Sequence, residues 1–412
     1  MKYGCIGEHL QHSFSKEIHN ALTDYEYELC EIPKEELSDF AKRRDFLAIN
    51  VTIPYKELIM PHMYFTDESA KAIGAVNTVV NRGGKLYGYN TDFYGMSMLA
   101  RHAGVDMQEK KVAILGTGGT SKTASAVVKA LGAREILRVS RTAREGSITY
   151  GELYEKHTDT EIIINTTPMG MFPNIFGLSL DIASFPILSG VLDAVYNPLR
   201  TPLILSAMER GIAAEGGLYM LVSQAVKASE IFIDTVYPER ELDRVYKKIL
   251  SEKENIVLCG MPASGKSTVG KLLAKDLGRD LIDTDTLIEE RAGIPIPEIF
   301  NQFGEAYFRD LETEIIKDVS QKNGHVIATG GGAVLRRENI NALKENGKIY
   351  FIDRPLSALM PTSDRPLAST REAITKRYNE RYEIYKSAAD VVIDADCTAD
   401  EVAKKIKGSF GI

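Results

Sequence analysis

Cysteine is scarce, with four residues in a chain of 412. Cys5, Cys30, Cys259 and Cys397 lie far apart and form no C-x-x-C pair. That excludes a disulfide framework, and the four read as reduced, mostly buried thiols of a cytosolic protein. No apolar run reaches membrane-spanning length. No leader pattern opens the chain either, because Lys2, Glu8 and His9 interrupt it at once. Basic residues are not in excess: 50 Lys and Arg face 57 Asp and Glu, a net charge of −7. A nucleic-acid footprint is therefore not expected. Histidine is sparse too, and His9, His12 and His19 lack a metal-ligand spacing, so loop and cap roles are expected for them.

What is present is ordinary for a soluble protein, 44% hydrophobic and 26% charged. The length predicts two to three domains, each able to bury its own core. Function must then be read from local sites, and small-molecule substrates are the expected partners.

The most specific stretch is Gly260-Met-Pro-Ala-Ser-Gly-Lys-Ser-Thr268, which fits G-x-x-x-x-G-K-[ST]. The apolar run Asn255–Cys259 before it reads as a buried strand, and Thr268–Leu277 after it reads as a helix. A loop in that context turns backbone N–H groups and a helix N-terminus toward the phosphates of a nucleotide. Lys266 is expected at the β- and γ-phosphates and the Ser267 hydroxyl on Mg²⁺. Gly260, Ser264, Gly265 and Thr268 complete the expected ATP contacts.

Ahead of this loop the chain reads as alternating strands and helices, the pattern of an α/β layer. A strand over Phe46–Val51 runs into Asn50-Val-Thr-Ile-Pro-Tyr-Lys56, where Pro54 forbids helix continuation, so Lys56 is expected at a strand end. Gly74-Ala-Val-Asn-Thr78 and Gly88-Tyr-Asn-Thr-Asp92 add amides and hydroxyls suited to a hydroxyl-rich ligand. Lys56 and Asp92 converging on one carbonyl or hydroxyl would form a proton-transfer pair. Spacing alone leaves them open between that role and a surface ion pair.

Lys111–Leu115 reads as a buried strand leading into Gly116-Thr-Gly-Gly-Thr-Ser121 and then a helix, the order of a dinucleotide fingerprint. Gly116, Gly118 and Gly119 supply the turn, with Ser121 at the last position of the motif. The next strand ends in Ser140-Arg-Thr-Ala-Arg144 instead of an acidic residue. Arg141 and Arg144, with the hydroxyls of Ser140 and Thr142, suit a 2′-phosphate, so NADP(H) is expected over NAD.

His12-Ser-x-Ser-x-x-Ile-His-Asn20, Asn50-Val-Thr-x-Pro-x-Lys56, Gly74-Ala-Val-Asn-Thr78 and Asn90-Thr-Asp92 together resemble shikimate dehydrogenase, over residues 1 to about 250. The resemblance implies that Ser13 and Ser15 hold a substrate carboxylate, while Thr52, Asn77 and Asp92 hold hydroxyls. It makes Lys56 the catalytic acid/base, paired with Asp92. It also brings Tyr196 and Gln224 to the substrate, and Gly217 with the Met220 region to the nicotinamide. Lys16 and Phe93 stand where the family has Pro and Gly, at edges that bear on substrate preference.

Beyond the phosphate loop, Leu281-Ile-Asp-Thr-Asp285 reads as a strand ending in two carboxylates. One can serve Mg²⁺ through water, the other an acceptor hydroxyl. Arg309, Arg381 and the triplet Gly330-Gly-Gly332 suit an anionic metabolite, and Arg365 suits a mobile cation near the transferring phosphate. This segment resembles shikimate kinase. The resemblance implies that Asp285, Arg309, Gly331 and Arg381 hold shikimate, with Asp285 nearest the accepting hydroxyl. Asp283 then lies behind Mg²⁺ through water, and Arg365 rides on a lid, which Met360–Asp364 makes compact.

The expected architecture is α/β throughout. A substrate-binding domain at 1–92, completed by return helices at 216–250, precedes a Rossmann-like NADP domain at 93–215. The short charged tether Ser251–Asn255 leads to a kinase domain with a parallel sheet at 253–412. The expected function is a cytoplasmic, bifunctional enzyme of the shikimate pathway. It reduces 3-dehydroshikimate with NADPH and phosphorylates shikimate with MgATP. The alternatives are a quinate/shikimate dehydrogenase joined to a kinase of another metabolite, or one half serving as a non-catalytic module.

Overall fold

The computed structural model describes residues 1–10, 13–172, 180–359 and 370–411. The chain divides into two compact units, Met1–Ile249 and Leu250–Ile412.

The first unit holds two sheets. Strands β1 (Tyr3–Gly7), β2 (Tyr27–Glu31), β3 (Ala48–Val51), β4 (Phe65–Thr66), β5 (Thr78–Arg82) and β6 (Lys85–Tyr89) form one, in the order 2-1-3-5-6-4. β1 runs parallel to β2 and β3, whereas β5 lies antiparallel to β3 and β6. Its core gathers Ile6, Ile49, Val51, Tyr55, Val79 and Leu86.

The second sheet, β7 (Lys111–Leu115), β8 (Glu135–Ser140), β9 (Ile148–Thr149), β10 (Ile162–Asn165), β11 (Gly190–Asp193) and β12 (Ala213–Glu215), is parallel throughout, in the order 12-11-10-7-8-9. β7 and β10 are buried along their whole length, so they read as unbroken apolar runs and not as alternation. The connections leave β7 on opposite sides, which opens a crevice at its C-terminal end. The Gly116–Gly119 turn sits there. Helix Leu218–Ile233 returns to pack on helices Ser15–Leu22 and Asp92–His102.

The return helices expected at 216–250 are Leu218–Ile233 and Glu239–Lys253, separated where Asp234 takes a left-handed conformation. Ser251–Lys253, read as part of a tether, is the last turn of the second helix, and Asn255 already begins a strand.

The second unit is one parallel sheet of β13 (Asn255–Cys259), β14 (Leu281–Asp283), β15 (Val326–Ala328), β16 (Gly347–Asp353) and β17 (Val391–Asp394), ordered 14-15-13-16-17. Alternate residues of its central strands feed opposite faces. Val257, Cys259, Ile349 and Phe351 enter one core, and Ile256, Leu258, Tyr350 and Ile352 the other. Each such aliphatic side chain contributes about 1.5–3 kcal/mol on full burial, which holds β13 at the centre. β13 is flanked by β15 and β16, so its C-terminal end is again a switch point, and the phosphate loop leaves from it.

Candidate active sites

In the first unit Lys56 does not sit at a strand end. It lies on the short helix Tyr55–Leu58 that β3 enters through Pro54. Pro54 is tolerated there because it precedes the first helical turn, where an N–H has no partner within the helix. The turn aims Lys56 Nζ at Asp92 Oδ2, 2.6 Å away. Both side chains are largely buried, 19% and 9% exposed, so the contact is no surface ion pair. Asp92 opens helix Asp92–His102, and its N–H donates to Asn90 Oδ1, 3.1 Å away. Asn90 Nδ2 in turn donates to the Ala75 carbonyl.

A buried polar web surrounds the pair. Asn77 Nδ2 donates to Thr91 Oγ1, and Asn77 Oδ1 accepts from the Thr91 N–H and from Thr78 Oγ1. Thr91 Oγ1 reaches Gln224 Oε1 at 3.3 Å. Asn50 Nδ2 donates to the Asn77 carbonyl and to Thr78 Oγ1, and Asn50 Oδ1 accepts from Tyr27 OH. Asn77, Asp92 and Gln224 are thereby brought together from three separate segments.

Thr52 follows β3, its N–H donating to the Ile6 carbonyl, and its methyl group lies over Gly7. Ser13 Oγ donates to Ser15 Oγ at 3.1 Å, near Phe14, whose ring packs on Tyr196 at 5.2 Å. Burial, with smaller effects from Cys5 and Glu17, pushes the Tyr196 phenol up to about 12, so it stays a neutral donor. His19 is fully buried, stacked 4.0 Å from Tyr27, with Nδ1 against Tyr25 OH. Burial lowers it to about 3, which makes it a neutral core residue. His12 lies outside the described residues.

Sequence reading had no role for Asn50, Thr78, Thr91 or Gly95, although the first three stand inside the quoted motifs. Gly95 is where helix Asp92–His102 meets helix Leu218–Ile233: a Cβ there would stand 2.7 Å from the Met220 carbonyl oxygen and 3.0 Å from Gln224 Cβ. Met220 is buried in that seam, and Gly217 caps the second helix against the Ala194–Val195 backbone.

At the dinucleotide turn Gly116 has φ +113°, and a Cβ would meet Thr166 Oγ1 at 2.7 Å. Gly118 starts helix Gly119–Ala130, and nothing stands within 4 Å of a Cβ built on Gly118 or Gly119, so this side of the turn is open. Ser121 Oγ donates back to the Gly116 carbonyl. Arg141, Thr142 and Arg144 are exposed just past β8, with Arg144 Nη1 3.5 Å from Thr117 Oγ1. Ser140 Oγ donates to the Thr142 carbonyl and so shapes that strand exit. Two cations and a helix N-terminus beside one open turn fit a dinucleotide that carries an extra phosphate.

In the second unit the loop 260–268 holds Gly260 at φ +150° and Gly265 at φ +95°, positions that disfavour a side chain. Lys266 begins helix Lys266–Leu277, and its buried Nζ donates to the Gly260 and Met261 carbonyls at 2.9 and 3.0 Å. Ser264 is buried beneath the loop with its Oγ over Gly260, and Thr268 is exposed. Ser267 Oγ donates to Asp283 Oδ2 at 2.8 Å. A hydroxyl paired with a carboxylate at a phosphate loop is a donor set that suits a hydrated Mg²⁺. Among the described residues no cluster of three His, Cys, Asp or Glu could hold a metal by itself.

β14 ends at Asp283, so Asp285 is not on the strand but in the first turn of helix Thr284–Ala292, its N–H capped by Asp283 Oδ1. Asp285 Oδ1 and Glu312 Oε1 would stand 2.5 and 2.8 Å from a Cβ on Gly330, so only glycine lets that backbone pass between the two carboxylates. Arg309 Nη1 donates to Glu312 Oε2 at 2.7 Å, and its guanidinium also reaches Glu305. Gly332 lies against the same guanidinium. The Gly331 carbonyl accepts from Arg381 Nη1 at 3.2 Å and from Tyr385 OH.

The structure therefore gathers Asp285, Arg309, Gly331 and Arg381 around one glycine-lined stretch of backbone, with Glu312 among them. Glu312 was missed by sequence, though its i,i+3 spacing from Arg309 on helix Ile296–Ser320 was the available signal. Burial raises the Glu312 carboxyl, and Asp285 adds to that, against the pull of Arg309. Arg365 and the lid segment lie outside the described residues.

Comparison with known proteins matches residues 5–79 to the family described as shikimate dehydrogenase substrate binding domain, and residues 262–409 to shikimate kinase. A shikimate dehydrogenase (NADP(+)) of Clostridium perfringens is 36% identical over 265 residues, covering 60% of this chain and 97% of that protein. A shikimate kinase of Clostridium botulinum is 45% identical over 159 residues, covering 38% of this chain and 96% of that one. The crystal structure of shikimate dehydrogenase 1 from Peptoclostridium difficile is 37% identical, with a TM-score of 0.55 over 60% of this chain and 98% of its own.

Proposed function

Because the chain belongs to both the shikimate dehydrogenase and the shikimate kinase families, we propose that it performs two consecutive steps of the shikimate pathway. The first unit reduces 3-dehydroshikimate with NADPH, and the second phosphorylates the resulting shikimate with MgATP. The observation that carries the reading is that both sets of chemical groups stand assembled in one chain. Lys56 contacts Asp92 in one unit, and Lys266 and Ser267 line a phosphate loop in the other.

In the first reaction NADPH supplies the hydride. Lys56, held by Asp92, donates a proton to the oxygen of the reduced carbonyl, and its charge stabilises that oxygen as negative charge develops. Ser13, Ser15 and Tyr196 take the substrate carboxylate. Thr52, Asn77, Asp92 and Gln224 take its hydroxyls. Gly118 and Gly119 leave room for the dinucleotide, Gly116 and Gly217 shape the backbone beside it, and Ser140, Arg141, Thr142 and Arg144 hold its 2′-phosphate.

In the second reaction Arg309, Gly331 and Arg381 hold shikimate with a hydroxyl at Asp285. Lys266 and the loop N–H groups neutralise and align the phosphates. Ser267, and Asp283 through water, would hold Mg²⁺, which would supply charge neutralisation to the phosphates.

No helix of the described residues is long and apolar enough to cross a membrane. We place the protein in the cytoplasm, where NADPH and ATP are supplied and its four unpaired cysteines stay reduced. Its partners are then small molecules. The test is direct: purified protein is given 3-dehydroshikimate and NADPH, then MgATP. Loss of NADPH absorbance followed by ADP release supports both activities; no NADPH loss removes the first half, and no ADP release even with added shikimate removes the second.

A further inference from the structure

β16 pairs with β13 in the register Cys259↔Phe351 and ends at Asp353, so the next residue, Arg354, emerges at the sheet edge from which the phosphate loop springs. The loop is packed onto this exit. A Cβ on Gly260 would stand 3.0 Å from the Ile352 carbonyl oxygen. One on Gly265 would stand 3.8 Å from Arg354 Nη1, with no other neighbouring atom within 4 Å. The guanidinium thus hangs over the open side of the residue that starts the phosphate-binding helix.

Its own bonding is incomplete. Arg354 Nε is buried without a hydrogen-bond partner, and among the described residues the guanidinium has no ion pair. The adjacent Asp353 turns Oδ2 to Tyr382 OH, 2.9 Å away, and among the described residues it forms no ion pair with Arg354. With no anion paired to it among the described residues, this half-buried guanidinium carries a desolvation penalty that an anionic ligand would offset. A nucleotide seated on the loop brings negative oxygens to this edge, and the planar fork of arginine matches them two at a time.

We infer that Arg354 is a further nucleotide-binding residue of the kinase unit, pairing with the polyphosphate beside Gly265. The inference rests on the kinase reading and adds to it a cation that lies outside every motif of the loop.

The test compares the full chain with Arg354→Met and Arg354→Lys. Binding of a fluorescent mant-ATP is measured directly, and by displacement with inorganic tripolyphosphate. Steady-state constants for MgATP and shikimate are measured alongside. Loss of one charge-assisted pair is expected to weaken mant-ATP and tripolyphosphate alike, about 10- to 100-fold, and to raise KM for MgATP. The lysine variant falls between, and KM for shikimate, which also reports that the unit is folded, stays put.

Unchanged mant-ATP affinity in Arg354→Met would overturn the inference. So would a loss confined to mant-ATP with tripolyphosphate unaffected, which places the guanidinium on the base and not the phosphates. A parent chain that binds mant-ATP but releases no ADP with shikimate would end the kinase reading while leaving Arg354 to be decided by the binding data. A parent that binds no mant-ATP would overturn both.

Discussion

Lys56 Nζ and Asp92 Oδ2 meet at 2.6 Å across 36 residues of chain, each delivered by the first turn of a helix that leaves a strand edge. The sheet positions the two turns, the Val76 N–H donates to the Lys56 carbonyl while the next residue, Asn77, bonds to Thr91, and the pair is left partly open to a ligand. The catalytic role proposed for Lys56 depends on this arrangement being rigid, and so do the predictions that follow.

Gly95 keeps Gln224 beside that turn. In an exposed helix Gly→Ala would stabilise by about 1 kcal/mol. Here the new methyl would meet a backbone oxygen at 2.7 Å, which cannot swing aside like a side-chain end. Overpacking costs about 1–3 kcal/mol and wins. Gly95→Ala is expected to lower the thermal midpoint and raise KM for 3-dehydroshikimate, as read by scanning calorimetry and steady-state rates.

Asp193 gives a pH signature. It is fully buried at the end of β11, and burial raises its carboxyl to about 7, against the opposing bonds from Thr201, Val195 and Asn165. Its folded value thus exceeds its unfolded one. The fold binds the proton more tightly, so this residue's contribution is fully present below pH 4 and is lost as pH rises through 7. Asp193→Asn can keep the three hydrogen bonds and removes the titration. Denaturant midpoints of parent and variant should converge in acid and separate in the variant's favour by pH 8.

Cofactor choice is proposed to rest on Arg141 and Arg144. Each charged hydrogen bond to a 2′-phosphate is worth about 1.5–3 kcal/mol, or roughly 10- to 100-fold in affinity. Replacing both with serine should raise KM for NADPH by at least that factor while leaving NADH unchanged. An unaltered NADPH constant would move the phosphate site elsewhere.

Glu312 holds Arg309 in the second unit, and removal of one partner from a buried pair typically costs about 3–5 kcal/mol. Glu312→Ala is expected to destabilise this unit and to raise KM for shikimate. Glu312→Gln, which keeps an acceptor for Arg309 Nη1, should restore most of the stability but not the full affinity.

Much of this was legible in the residues. β7 and β13 are flanked by strands and covered on both faces, so Lys111–Leu115 and Asn255–Cys259 show as apolar runs with sharp ends, and glycine-rich turns follow them. The short helical turns that carry Lys56 and Asp285 were read as strand ends. The four residues of the Lys56 helix have no periodicity of their own and are held by the sheet edge, and the first turn of the nine-residue helix with Asp285 is set by the Asp283 cap. The Asn50–Thr78–Thr91 web and Arg354 were hidden for another reason. Their partners lie far away in sequence, and no spacing rule connects a strand exit to a loop some 90 residues earlier.

The most direct measurement follows NADPH oxidation and ADP release on the parent chain, Lys56→Met and Lys266→Met. Loss of the Lys56 amine should cut the dehydrogenase turnover about 10²- to 10⁴-fold and leave ADP release from added shikimate intact. Lys266→Met should do the reverse. A Lys56→Met chain that still oxidises NADPH at the parent rate would contradict the account.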